Sequence, residues 1–201
     1  MKNERLLYIL FRLMKKELSI YEHCMRVGKL AKILASHLHY NQEQTRSLVV
    51  GCLLHDIGKI FIPTDILNKD TDATVEEWET MKRYPVLGAN LAHKEGIHDL
   101  NIIEIIKFHR ERWDGAGYPY GLRGEFIPNF ARICSILEVF DHMLQDTPHR
   151  KGLSVQEAKQ ELWYQSRKQF DKNIVQVFLN IPSHDLEIYN RSSKWRNEQY
   201  G

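Results

Sequence analysis

The sequence predicts an all-α protein. Apolar residues recur at three- and four-residue intervals along most of its length, no alternating strand pattern of useful length appears, and capping-type residues head several of the periodic segments. Its 201 residues, 43% hydrophobic and 27% charged, suffice for one sizeable core of an ordinary soluble domain.

Leu6, Leu10, Leu13 and Met14 share one face of a first, amphipathic helix. His23, Val27, Leu30, Ala31, Leu34 and Leu38 keep helical spacing in a second. A third runs from about Gln42 to Asp56, with Leu48, Cys52 and His55 near one stripe, and Gly58 is expected to break it. Thr74 and Glu77 form a capping box opening a helix towards Tyr84, with a break near Pro85. Asp99 caps a helix carrying Ile102, Ile103, Ile106 and His109. The Gly- and Pro-containing stretch from Asp114 to Pro128 reads as a long ordered loop. Phe130 to Leu144 is apolar and helical, Ser154 with Glu157 is a second capping box, and a last helix spans Asp171 to Leu179. The expected organisation is an N-terminal helix over 1–19, one main domain over 20–182 and a polar tail over 183–201.

Several function classes are disfavoured. The net charge of +2, with basic and acidic residues interleaved, argues against a DNA-binding protein. Cys24, Cys52 and Cys134 are widely spaced and odd in number, which fits buried, reduced thiols and a cytoplasmic location. The Leu6–Leu13 run is interrupted by Arg12 and lacks a small-residue cleavage site, so it does not read as a signal peptide. No stretch approaches the length of a membrane span. The first helix is expected to dock on the core or on a partner chain, a second copy included, in preference to lying on a membrane surface.

The chemistry centres on His55-Asp56. Neighbouring helical side chains point about 100° apart, but at a helix end, where the backbone bends, both can reach one ion. Imidazole with carboxylate suits Fe, Mn or Zn. Lys59 follows and could hold a phosphate. A His-Asp dipeptide also occurs by chance, as a surface or capping feature; its place behind the apolar run ending Leu53-Leu54 favours a buried site, where polar groups need partners.

Several motifs in order extend this. They are His23 with Arg26-Val27, Leu54-His55-Asp56-Ile57-Gly58-Lys59-Ile60, Ile62-Pro63 leading to Ile66-Leu67-Asn68-Lys69, and Glu77-Trp78-Glu79-Thr80-Met81-Lys82. Glu111-Arg112-Trp113-Asp114-Gly115, Gly117-Tyr118-Pro119, Gly121-Leu122, Gly124-Glu125, Ile127-Pro128 and Ala131-Arg132-Ile133 complete the series. Over roughly residues 20 to 180 the sequence resembles the HD-GYP domains, a branch of the HD superfamily of metal-dependent phosphohydrolases. The resemblance implies a compact helical bundle and a bacterial signalling activity, hydrolysis of cyclic di-GMP by metal-activated hydroxide. It implies metal ligands at His23, His55, Asp56 and His109, with Glu138 where the family usually has Asp. It places Asp56 and Lys59 in catalysis, and Lys59, Lys69, Tyr118 and Arg150 near the nucleotide.

Four departures qualify this. Tyr84 and Arg110 stand where the family has histidine ligands. Ser19 stands where some members carry a Glu ligand for a third ion, and Glu138 replaces the usual Asp. Tyr84 and Arg110 fall at one subsite, so the expectation is one well-held divalent ion at most. Arg110 could grip a phosphate oxygen in place of the missing ion, or it could turn to solvent or pair with Glu111 or another carboxylate. Tyr118 could contact ligand or pack in its loop. Asp141 could orient a ligand or sit on a helix surface. Trp113 reads as core or loop support. His37, His39, His93, His98, His142, His149 and His184 match no ligand position and read as structural or exposed.

Three readings compete. One is a phosphodiesterase (a hydrolase) acting on cyclic di-GMP or a related phosphate ester. Another is a weak or inactive domain that binds a cyclic dinucleotide or a signalling protein. The third is a phosphohydrolase with a smaller substrate, which Gly117-Tyr118-Pro119 disfavours.

Overall fold

The computed structural model describes residues 2–69, 73–147 and 150–187; His149 and the tail beyond residue 187 lie outside the described residues. Among the described residues, ten α-helices run in the order α1 Lys2–Lys16, α2 Leu18–His37, α3 Gln42–Leu54, α4 Thr64–Leu67, α5 Val75–Met81, α6 Tyr84–Lys94, α7 Leu100–Phe108, α8 Asn129–Leu144, α9 Val155–Tyr164 and α10 Lys172–Leu179. Short 3-10 turns cover Ile57–Phe61 and Gly124–Phe126. Among the described residues there is no sheet, and the all-α expectation holds.

The capping chemistry sets the helix starts. Thr74 and Ser154 form the two expected capping boxes, and Asp99 and Asp171 accept from backbone N–H groups two residues on. A third box, Asn41 with Gln44, opens α3, with Asn and Gln in the places that Thr or Ser and Glu take in the other two.

Two apolar clusters share α2 and α3. The larger joins them to α8, α9 and α10 through residues such as Leu30, Leu34, Leu48, Leu137, Phe140, Leu162 and Phe178. The smaller joins α1, the Ile57–Phe61 turn, α6 and α7 through Ile9, Leu13, Cys24, Leu54, Ile57, Ala92 and Ile106. A lone 15-residue helix is marginal in water. Burying Ile9, Leu10 and Leu13 contributes on the order of 5 kcal/mol, at about 1.5–3 kcal/mol per side chain, and holds α1 to the body. The first helix therefore docks on the core, with Leu7, Tyr8 and Phe11 left exposed.

Gly58 has a role other than helix breaking. α3 ends at Leu54, and the chain continues through Gly58 as a 3-10 turn. A Cβ on Gly58 would overlap the Tyr84 carbonyl oxygen and come within 2.7 Å of the Gly88 nitrogen. Only glycine lets this turn lie against α6, and the approach brings Asp56 and Lys59 beside Tyr84.

Candidate metal centre

Helix faces and helix ends meet at the centre. α2 supplies His23, the C-terminus of α3 supplies His55 and then Asp56, α7 ends on His109 followed by Arg110, and the middle of α8 supplies Glu138. The exposure of His23, His55, Asp56, His109 and Glu138 does not exceed 4%. The bend after α3 does what an unbroken helix would not: His55 Nε2 lies 3.6 Å from Asp56 Oδ2.

The backbone and Asp141 set the imidazole tautomers. His55 Nδ1 donates to the Cys52 carbonyl over 2.8 Å. His109 Nδ1 faces the carbonyls of Ile106 and Ile105 at 3.0 and 3.2 Å. His23 Nδ1 lies 2.6 Å from Asp141 Oδ2, and Arg26 grips the same carboxylate with Nε at 2.8 Å and Nη2 at 2.9 Å. Asp141 is buried and orients a candidate ligand, settling its open reading. Each ring then turns Nε2 inward.

Three inward atoms are buried without a hydrogen-bond partner: His23 Nε2, His55 Nε2 and Asp56 Oδ1. Buried polar atoms are normally satisfied, so this trio fits a cation. Donor atoms of His23, His55 and Asp56 lie within 4.8 Å of one another, as do those of His55, His109 and Glu138, and those of His23, Glu138 and His142.

The other half of the centre is occupied by protein. Tyr84 Oη and His109 Nε2 are 2.9 Å apart. Since His109 Nδ1 donates to backbone, Nε2 accepts and the tyrosine donates. Arg110 Nη1 donates to Glu138 Oε1 over 2.7 Å and lies over the Tyr118 ring at 5.5 Å. Arg110 thus takes the carboxylate-pairing alternative, with a different partner from Glu111. Glu138 Oε2 still faces inward, 3.9 Å from His55 Nε2. What remains is a degenerate site for a single divalent ion.

The charges follow from these contacts. Burial pushes the Asp56 carboxyl up, but Lys59 and the nearby histidines outweigh it and hold Asp56 well below the usual carboxylate range. Burial likewise opposes ionisation of Glu138, and Arg110 overrides it, bringing the carboxyl to about 2. Burial lowers His55, and burial with His55 beside it lowers His109 to about 3. These two rings are neutral near pH 7, the state a ligand requires.

A cleft of about 310 Å³ opens over the centre, lined by Lys59, Trp78, Tyr84, Arg110, Tyr118 and His142, with Glu17 and Ser19 at its α2 side. Lys59 Nζ is bound to Asp56 Oδ2 at 2.7 Å. Tyr118 reaches the cleft because its loop folds back onto the residues after α7. Gly117 has no room for a Cβ, which would press within 2.6 Å of Arg110 O, and the Tyr118 N–H donates to that carbonyl over 3.2 Å. Glu111, buried, accepts from the N–H groups of Tyr120 and Leu122 at 2.8 and 3.0 Å and so pins the loop. Trp113 lies beneath the Arg132 guanidinium, and its carbonyl accepts from the Gly124 N–H over 3.0 Å.

Two expected nucleotide contacts are engaged elsewhere. Lys69 Nζ is paired with Glu77 at 2.7 and 2.9 Å, and Arg150 donates to the carbonyls of His142 and Met143 at 3.1 and 3.2 Å. Neither lines the cleft. His142 is exposed, as expected, but what it is exposed to is the cleft. Its four-residue spacing from Glu138 was the available signal.

An all-helical bundle carrying a buried histidine–carboxylate cluster under a cleft that Lys59 and Arg110 line fits the class of metal-dependent phosphohydrolases. The sequence model of the family described as HD domain matches residues 10–174, and this chain belongs to that family, in its HD-GYP-like branch. It is 32% identical over 177 residues to a cyclic di-GMP phosphodiesterase of Thermotoga maritima, covering 88% of this chain and 48% of that protein. It is 30% identical over 159 residues to a 3'3'-cGAMP-specific phosphodiesterase of Vibrio cholerae, covering 78% of this chain and 30% of that protein. The solved structure of an HDG"Y"P protein from Bdellovibrio bacteriovorus superposes with a TM-score of 0.65 at 26% identity, over 81% of this chain and 52% of that one. The chain spans about half the length, or less, of the curated relatives it matches. Among the described residues, no helix is long and apolar enough to cross a membrane.

Proposed function

We propose that the chain is a metal-dependent phosphohydrolase-type domain that takes a cyclic dinucleotide, or a closely related phosphate ester, over one divalent ion of Fe, Mn or Zn type. The observation carrying this is the trio of buried, unpartnered atoms, His23 Nε2, His55 Nε2 and Asp56 Oδ1, beneath a cleft lined by Lys59 and Arg110. The bound ion supplies Lewis-acid stabilisation and a lowered water pKa. Around it, His23, His55, Asp56 and the inward oxygen of Glu138 are the ligands. Lys59 and Tyr118 face the phosphates and base of the nucleotide. Relatives that act on cyclic di-GMP and on 3'3'-cGAMP support the substrate class.

A second reading, binding without efficient turnover, is favoured by the Tyr84–His109 and Arg110–Glu138 contacts, which fill the position of a second ion. A two-ion centre clamps both attacking and leaving oxygens; one ion leaves one of them without that clamp. On this reading the output is a signalling contact. The exposed Leu7, Tyr8 and Phe11 support self-association of two copies, which sedimentation velocity measures.

The deciding experiment measures cyclic di-GMP binding and hydrolysis with Mn, beside the double reversion Tyr84→His with Arg110→His. We expect binding in both proteins, little hydrolysis by the wild type and a clear gain in the revertant. Fast wild-type turnover contradicts the one-ion argument; failure of both proteins to bind removes the substrate class.

A further inference from the structure

We propose that His142 is a ligand of the single ion, completing a donor set with His23 and Glu138 that lies on the cleft side of the cluster. This inference rests on the one-ion reading above and adds to it a residue that the family resemblance does not supply.

The geometry begins in α8. Glu138 and His142 are four residues apart, so their side chains share one face of the helix. Asp141 points elsewhere, to His23 Nδ1 at 2.6 Å, and that contact leaves His23 Nε2, on the other side of the ring, buried without a partner. The His142 ring stacks face to face on the His23 ring, with centroids 4.3 Å apart and planes 25° apart, which brings the two imidazoles to one place beside Glu138. One ligand atom from each of His23, Glu138 and His142 lies within 4.8 Å of the others. Bonds of about 2.0–2.2 Å place two donors on one ion up to about 4.3 Å apart, so small rotamer adjustments close the set.

The surrounding residues explain why the ion moves to this side. On the α7 side, Tyr84 saturates His109 Nε2 and Arg110 brings a positive charge to Glu138 Oε1. Both make that side unfavourable for a cation. His142, four residues on from Glu138, lines the cleft and carries no such blocking contact to His23 or Glu138. His55 and Asp56 adjoin the set, sharing His23 with it, and His55 Nε2 lies 3.9 Å from Glu138 Oε2. The losses at 84 and 110 and the histidine at 142 then form one pattern: the centre gives up the ion on the His109 side and gains a donor for the one that remains.

The test is a Co²⁺ titration of the metal-stripped full chain, read by visible d–d absorption and by the rise in melting temperature, on wild type, His142→Ala, His142→Gln, His23→Ala and His184→Ala. His142 is exposed, so its variants should fold; the melting temperatures of the stripped proteins verify this, and His142→Gln keeps the bulk. The expected result is one equivalent bound by the wild type, at least about tenfold weaker binding with an altered band in both His142 variants, stronger loss in His23→Ala, and no change in His184→Ala, an exposed surface control. Unchanged affinity and spectrum in the His142 variants overturns the inference while leaving the one-ion reading intact, with His142 reduced to a stacking partner of His23. Equal weakening in His184→Ala also overturns it, as surface histidine binding. A wild type that takes up no ion overturns both.

Discussion

The hydroxyl of Tyr84 donates to Nε2 of His109 over 2.9 Å, so the lone pair that would face a second ion is already used. The tautomer leaves no alternative, because Nδ1 of the same ring is committed to the carbonyls of Ile105 and Ile106. Tyr84 is itself 2% exposed, and burial raises its phenol well above the ordinary value, so the proton stays on the oxygen. A protonated phenol is a poor metal ligand and a good hydrogen-bond donor.

Removing that donor has a defined cost. Tyr84→Phe leaves His109 Nε2 as a buried, unsatisfied acceptor, and we expect a loss of roughly 1–3 kcal/mol in urea denaturation of the metal-stripped protein. Added Mn²⁺ should recover more stability in this variant than in the wild type, because a freed imidazole is available to an ion. Equal metal stabilisation in the two proteins contradicts the blocking role of Tyr84.

Arg110 is held by Glu138 and in turn holds that carboxyl near 2. Arg110→Ala strands a buried carboxylate. A fully buried pair broken in this way costs about 3–5 kcal/mol, but a third of the Arg110 side chain is exposed, so roughly 1–3 kcal/mol is expected here. The Glu138 pKa should rise, which a carboxyl-resolved NMR titration reads directly. A pKa that stays near 2 assigns its depression to the histidines instead.

Gly58→Ala is predicted to be far more damaging than an exposed glycine substitution. Its Cβ would strike backbone of Tyr84 and Gly88, which cannot rotate away. Either the 3-10 turn or α6 must shift, separating Asp56 from Tyr84. We expect a loss of at least about 3 kcal/mol, from the upper end of the overpacking range, together with weaker metal uptake. A fully stable variant contradicts the backbone contact.

Acid should destabilise the metal-stripped protein, in two stages. His55 and His109 have folded values below the ordinary 6.5, so below that pH the unfolded chain binds their protons more readily than the folded one. Their contribution is complete above about pH 7 and falls as the pH drops through 6.5 towards about 3 for His109. Glu138, depressed to about 2, adds a loss that begins near 4.5. The decline between pH 7 and pH 4 should be on the order of 2–4 kcal/mol, by the linkage of about 1.4 kcal/mol per pKa unit. A denaturation midpoint that is level over this range contradicts neutral, buried imidazoles.

The all-α class, the capped starts of α5, α7, α9 and α10 and the ligand candidates His23, His55, Asp56, His109 and Glu138 were legible in the sequence, because periodicity, capping residues and ordered motifs are local. The starts of α4 and α6 were not: Pro63 is the N-cap of α4, and Pro85, read as a break, stands in the first turn of α6. The same motifs exposed the departures at Tyr84 and Arg110. What those replacements do could not be read there. That Tyr84 caps His109, that Arg110 turns to Glu138, that Asp141 aims His23 and that Lys69 and Arg150 are committed away from the cleft are contacts between residues up to 118 positions apart. They depend on where α2, α6, α7 and α8 cross. Gly58 shows the limit most directly: by itself it determined only that the chain could turn, whereas the packing of that turn on α6 decided which atoms of His55, Asp56 and Tyr84 share one buried space. Donor types are properties of residues, but whether a donor is free for an ion depends on what the tertiary structure has already placed against it.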